Sequence, residues 1–390
     1  MKNSSLTRLG PGLAALALAG VACGGGIDNP SGGGPDAAID ATSDEWDQRL
    51  EEREVDYNAA LRAAALRLVG RLPTLEEIRS IQNAGDLAAQ KVAYEAHIDA
   101  FLASPDFARQ IYFWWQDTLR MGDDTELDSA AAFAAQVTVE GRSYLELLTA
   151  TAGQCGAFDV GAAAFTAADC GNGVPVQAGL LTHPGVHRHF TSNFSFRRVK
   201  WVQETFACTK FPAEIAATGI DIGAAAPYTG LFPFESVPAL DTGRVNFRDT
   251  SAVICANCHT TMNHIAPLLA TFDEQGQFQG QIVAPTPLEG APPAELRDYL
   301  VAGETTAWRY GVPAADLPQL GAAMAADPDI AECAIARVWN WAMGKGDVVD
   351  ALREVPAEII RQEIDDFVAD GHRLKSAIRG VFTHDDFVKF

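Results

Sequence analysis

Apolar residues recur at helical spacing along most of the chain beyond its first fifty residues. From Trp46 to Val69 the sequence is rich in Glu, Arg, Ala and Leu, and Leu61, Ala65 and Leu68 share one face, which predicts a helix closed by Pro73. Thr74 with Glu77 forms a capping-box pattern for a second helix carrying Ile78 and Ile81. Gln90 to Leu102 reads as a third. Ser104 and Pro105 supply an N-cap and a first-turn proline for a fourth over Asp106–Arg120, whose Phe107, Ile111, Trp114 and Trp115 form an apolar face suited to a core. Further helices are expected over Glu140–Thr151, Phe196–Cys208, Ala294–Val301, Ala331–Met343, Pro356–Asp370 and Arg373–Phe382. Residues 152–250 are less regular, with many Gly, Pro and Asn, and strands are scarce. The expected fold is mainly α.

The start of the chain is patterned differently. Lys2 and Arg8 precede an apolar run, Leu9 to Ala19, that is shorter than the roughly 20 residues a membrane span needs. Small residues then lead to Cys23. This resembles the signal and lipobox of bacterial lipoproteins, and it implies export, cleavage before Cys23 and a lipid on that cysteine as the membrane anchor. Gly24 to Ser43 is rich in Gly, Pro, Asp and Ser and poor in large apolar residues, so it reads as a flexible tether.

Charge narrows the partners. With 29 basic and 51 acidic residues the formal net charge is −22, which argues against nucleic acid, whose phosphates call for Lys and Arg. The 390 residues, 48 % of them hydrophobic, are enough for a substantial core.

Chemistry enters with the seven cysteines. Cys255-Ala256-Asn257-Cys258-His259 is C-x-x-C-H. Two thiols at this spacing reach the two vinyl groups on one edge of a haem, and the next residue presents its imidazole to the iron. A chain of this composition would contain on the order of 0.003 such matches by chance. Two rivals use the same residues: a zinc site with His264 as fourth ligand, and a thioredoxin-like dithiol, which needs a preceding strand that Thr250 to Ile254 offers only weakly. One covalent haem c, held by Cys255, Cys258 and His259, is the reading adopted. Met262 and His264 follow His259 too closely to reach the opposite face of the iron. Candidates for that face are Met324, which we take first, Met343, and the histidines His183, His187 and His189. A carbonyl near Pro267 is expected to accept the His259 Nδ1 proton, and Arg248 to pair with a propionate. The remaining cysteines, Cys155, Cys170, Cys208 and Cys333, form an even set suited to disulfides in an oxidising compartment; three pairings are open, with a local Cys155–Cys170 loop leaving Cys208 with Cys333.

The haem motif and the residues just after it resemble a family. Cys255 to Met262, then Ile265, Leu269 and Phe272-Asp273-Glu-Gln-Gly276, is similar to the cytochrome c-like segment of planctomycete-type secreted haem proteins of unknown function, also found in myxobacteria. Asn263-His264-Ile265-Ala266 stands where that family has Asp-Pro-Ile-Gly. Leu66 to Glu77, Leu102 to Phe107, Gly179 to Pro184, Arg198 to Cys208, Ile330 to Gly344 and Gly371 to Phe382 resemble its other segments. The resemblance implies a periplasmic or surface haem protein with redox partner proteins, and an aliphatic residue where Met343 stands.

The expected organisation is a signal peptide (1–23), a linker (24–45), an N-terminal helical segment (46–151), an irregular and helical segment (152–249), a cytochrome c-like haem segment (250–346) and a C-terminal helical segment (347–390). One-electron transfer at the cell envelope is the function expected first. A haem-dependent oxidoreductase or peroxidase, and a binding or structural lipoprotein stabilised by its haem, are the alternatives.

Overall fold

Asp56 begins the first helix of the folded body: its carboxylate accepts the N–H groups of Asn58 and Ala59, and α1 runs Tyr57–Leu68. The computed structural model describes residues 50–122, 124–211, 247–248, 253–286, 292–309 and 311–390, and only the backbone over 253–257. The signal segment, Cys23 and the tether lie outside these residues. Of the helix expected from Trp46 to Val69, residues 46–49 lie outside the described residues, Leu50 and Glu51 are helical, and the helix is then interrupted before Tyr57, for a physical reason. Val55 is extended and bridges antiparallel to Lys389, with Glu54 N–H to Phe390 O at 3.1 Å and Asp56 N–H to Val388 O at 2.9 Å. Those backbone groups are spent on the far end of the chain and cannot continue a helix.

Three helices follow near their expected places: α2 (Leu75–Gln82), with the Thr74–Glu77 capping box formed, α3 (Leu87–Leu102), and α4 (Pro105–Leu119), capped by Ser104. A helix that the sequence pattern does not predict is α5 (Thr125–Val139), in which Ala130 to Ala135 are all buried. A helix enclosed on every side carries no polar stripe, so it lacks the periodicity that betrays an amphipathic one. Of the helix expected over Glu140–Thr151 only one turn forms, α6 (Glu146–Thr149). The irregular stretch holds a hairpin of β1 (Ala157–Asp159) and β2 (Ala164–Thr166), then α7 (Pro184–His189) and α8 (Phe196–Phe206).

Next is α9 (Val253–Leu269), and the strand considered at Thr250–Ile254 is not formed at Val253 and Ile254, which belong to this helix. Then come a single turn α10 (Leu296–Tyr299), a two-rung ladder of β3 (Ala307–Trp308) with β4 (Val312–Pro313), α11 (Leu317–Ala325), α12 (Pro328–Ala342), α13 (Val349–Arg353), α14 (Arg361–Ala369), α15 (Leu374–Thr383) and α16 (Asp385–Val388). The architecture is mainly helical.

Residues Glu54–Phe390 share one core that extends from Tyr57 to Val388. Packing of α4 on α5 is the most extensive among the described elements, and α12 sits among α1, α8, α14 and α15. Trp115 donates to Thr138 Oγ1 across the α4–α5 seam at 3.0 Å, and buried Tyr94 donates to Phe382 O at 2.5 Å, tying α3 to the end of α15. Each fully buried large side chain contributes roughly 1.5–3 kcal/mol, so this core, and not the short strand pairings, holds the body together.

Both expected local and long-range cystines are present: Cys155–Cys170, closing the hairpin, and Cys208–Cys333, 125 residues apart. The second joins the end of α8 to α12. Arg337, one turn beyond Cys333, reinforces that join by donating to Thr205 O at 2.7 Å and pairing with Asp347 at 2.9 Å. Closing so long a loop restricts the unfolded chain. Replacing Cys208 and Cys333 together by Ser is expected to lower unfolding stability by about 2–5 kcal/mol; urea midpoints of the two proteins measure it, and an unchanged midpoint contradicts it.

Candidate functional site

The motif lies within the first two turns of α9. Positions 255, 258 and 259 are spaced i, i+3 and i+4, the spacing that shares a helix face. The Cys255 side chain lies outside the described residues, and Cys258 is half-buried. Pro267 falls inside the helix and withholds the N–H that would have bonded the Asn263 carbonyl.

His259 is held from two directions. One turn on, Asn263 places Oδ1 3.0 Å from His259 Nδ1, and the Asn263 Nδ2 donates to Phe247 O at 2.7 Å. The Phe247 N–H donates in turn to Asp298 O, just before the last residue of α10, at 2.9 Å. The Phe247 carbonyl can only accept, so the amide nitrogen must face it and the amide oxygen must face the imidazole. That oxygen also only accepts, so Nδ1 carries the ring proton. Nε2 is left with its lone pair, and among the described residues nothing engages it. The acceptor expected near Pro267 is thus replaced by the Asn263 side chain, which α9 itself delivers at i+4.

Aromatic rings fix the plane of the imidazole. Phe247 stacks on it at 4.8 Å and 9°, and Phe196, first residue of α8, meets it edge-on at 4.9 Å and 84°. Phe194 and Tyr299 extend the cluster, with the Tyr299 hydroxyl donating to Phe194 O at 3.3 Å. Phe194 and Ser195 take left-handed backbone at φ 55° and 59°, costly for non-glycine residues, to turn the chain into α8 and bring the Phe196 ring onto α9. Burial lowers the His259 pKa, opposed by the Asn263 hydrogen bond, so the ring is neutral at pH 7, the form that ligates metals.

The other end of α9 is fixed by Arg198, on α8. This side chain is 2 % exposed, and its guanidinium donates to the carbonyls of His187, Leu269, Phe272 and Asp273 at 2.8–3.0 Å and to Ser195 Oγ at 3.2 Å. Burial lowers its pKa to about 10, which leaves it charged at neutral pH. The turn it grips is Phe272-Asp273-Glu-Gln-Gly276. Asp273 Oδ1 accepts the N–H groups of Gln275 and Gln277, and Gly276 sits at φ +77° with its α-carbon so close to Pro184 that a Cβ would lie 2.2 Å from that carbonyl oxygen.

Other residues singled out in the sequence lie elsewhere. Met324 is fully buried in α11, whose main packing neighbours are α6, the 3₁₀ turn Gly179–Thr182, β3 and β4. Met343 caps α12, and Met262 packs half-buried against the core. His264 is turned away from His259: Nδ1 lies 2.7 Å from Thr260 O and Nε2 3.6 Å from Glu304. His187 stacks on Phe272 at 3.5 Å, beside the Arg198 end of α9, ten residues or roughly 15 Å along the helix from His259. His183 caps α7, accepting the Gly185 N–H at Nδ1 and reaching Ser129 Oγ at 3.1 Å. His189 is half-buried against Phe190, and Arg248 is exposed. Five residues around His259 are absent from the sequence-based expectation of the site: Asn263, Phe247, Phe194, Phe196 and Tyr299. Only Asn263, at i+4 from His259, offers a signal in the sequence.

A family model described as PSCyt2, a protein of unknown function (DUF1549), matches residues 36–144. This planctomycete-type domain resembles the N-terminal segment through α5, and the match stops well short of α9. No curated protein and no solved structure matches the chain.

Burial lowers the His183 pKa to about 3. A folded-state value below the unfolded value of about 6.5 means stability is fully present above that pH and is lost as pH falls towards 3. Between pH 7 and pH 4.5 this site is expected to cost the fold roughly 2–3 kcal/mol. Denaturation curves at the two pH values measure it: His183→Gln should shrink the difference, and an equal drop in both proteins contradicts the assignment.

Proposed function

We propose that the chain is an exported c-type haem protein, with haem joined to Cys255 and Cys258 and ligated by His259, that passes single electrons at the cell envelope. The observation that carries this reading is the state of His259: proton committed to Nδ1, Nε2 bare, ring plane fixed, directly after two cysteines at the attachment spacing. The rival uses of the motif find less support. His264 directs Nε2 towards Glu304, 3.6 Å away, which argues against it as the fourth ligand of the zinc alternative, and the helical backbone at Val253–Ile254 argues against the strand a thioredoxin-like dithiol requires.

A haem so held supplies a one-electron couple. The chain's own part is to place it. His259 offers one nitrogen. Phe196 and Phe247 pack against the imidazole and hold its plane. Arg198 and the Gly276 turn anchor α9 at its far end, and Asn263 with Phe247 ties the helix one turn beyond the motif. Two disulfides suit an oxidising compartment, as does a lipid on Cys23. The formal net charge of −22 favours redox partners with a basic face.

Cys255→Ser with Cys258→Ser is expected to abolish covalent haem when the protein is made alongside haem-attachment machinery. A denaturing gel stained for haem reads this directly. A colourless wild-type band at the polypeptide's own mass, or a stained band in the double variant, overturns the proposal.

A further inference from the structure

The contacts of His259 reach past ligation to the question of how strongly its imidazole donates to a metal. Among the described residues Asn263 is the one polar side chain bonded to His259, and it does not swing freely. Its Nδ2 is tethered at 2.7 Å to Phe247 O, which belongs to a residue fixed on both sides: the backbone through Asp298, the ring against the imidazole it stacks on. The amide therefore has one orientation that satisfies both of its ends. Turned over, it would set an N–H against the Nδ1 side and an oxygen against a carbonyl oxygen, two acceptors at hydrogen-bond range in a part-buried place where water does little to screen them.

We infer that Asn263 is a positioning residue that sets the reduction potential of the proposed haem, by accepting the His259 Nδ1 proton from an orientation enforced by the Phe247 carbonyl. This rests on the preceding proposal and adds to it. A hydrogen bond at Nδ1 places partial negative charge on the imidazole and makes Nε2 the better donor, which favours the ferric iron. The acceptor here is a neutral amide, so the push is intermediate: stronger than with no acceptor and weaker than with a carboxylate. The same bond excludes the tautomer with hydrogen on Nε2, which cannot ligate through that nitrogen.

Two substitutions at one position separate this role from a structural one. Asn263→Leu keeps the branched shape and the number of heavy atoms, at a somewhat larger volume, and removes the acceptor. Asn263→Asp keeps an acceptor and adds negative charge. In haem-loaded protein, the midpoint potential is expected to rise in the first and fall in the second, relative to wild type. Proton NMR of the loaded protein is expected to show the His259 Nδ1 proton protected from exchange in wild type and exchanging at least tenfold faster in Asn263→Leu. A loss of packing alone would move both potentials in one direction. Potentials that do not move, or move together, overturn the inference while a haem-stained wild-type band leaves the haem proposal standing. A wild type without haem removes both, and the gel reveals that first. If Asn263→Leu does not load haem, the fall in Asn263→Asp decides the matter, and its absence is a refutation.

Discussion

A single buried guanidinium carries much of this architecture. Arg198 sits inside the protein bonded to main-chain oxygens where a buried cation would more often meet a carboxylate. Four carbonyls surround it, contributed by α7, the end of α9 and the turn beyond. The last carbonyls of a helix hold partial negative charge and have no partner within the helix, so a cation placed there satisfies both them and itself. Taking the charge out of water is expensive. The fold tolerates it because planar, forked donors meet several segments at once, and those segments are then fixed relative to one another. The position of α9, and with it His259, follows from this.

Legibility in the sequence tracks amphipathicity. Helices with one wet face are readable because Leu61, Ala65 and Leu68, or Phe107, Ile111 and Trp115, repeat at the period of the helix. The capping box at Thr74 and Glu77 is readable because it is local chemistry. Pattern reading fails where burial erases contrast, in the alanine-rich α5, and where distant backbone competes, at Val55. The cystine pairs are accessible by counting, since four remaining cysteines in an oxidising compartment allow only three arrangements.

At the candidate site the sequence reveals the reactive groups but not their supports. Cys255, Cys258 and His259 are nearly contiguous, so spacing alone exposes them. Phe247, Phe196, Phe194 and Tyr299 come from separate stretches, and no local rule gathers them around α9. A backbone acceptor near Pro267 is a reasonable expectation for Nδ1, yet a side chain four residues on is nearer along the same helix face. The turn Phe272–Gly276, a sequence likeness at first sight, has a mechanical explanation in the Asp273 bonds and in the tight approach of Gly276 to Pro184.

The Cys208–Cys333 bond encloses the segment that contains Cys258 and His259 within a covalent ring. A protease that cuts once anywhere inside that ring opens it without releasing anything. The two pieces remain one molecule, and the side chains of Phe194 and Phe196, which lie outside the enclosed segment, stay linked to the α9 they cover. Separation would wait for a reductant. A cut at exposed positions of this segment, such as Glu274 or Gln275, is thus converted from loss of the site into a nick that the rest of the molecule can hold shut.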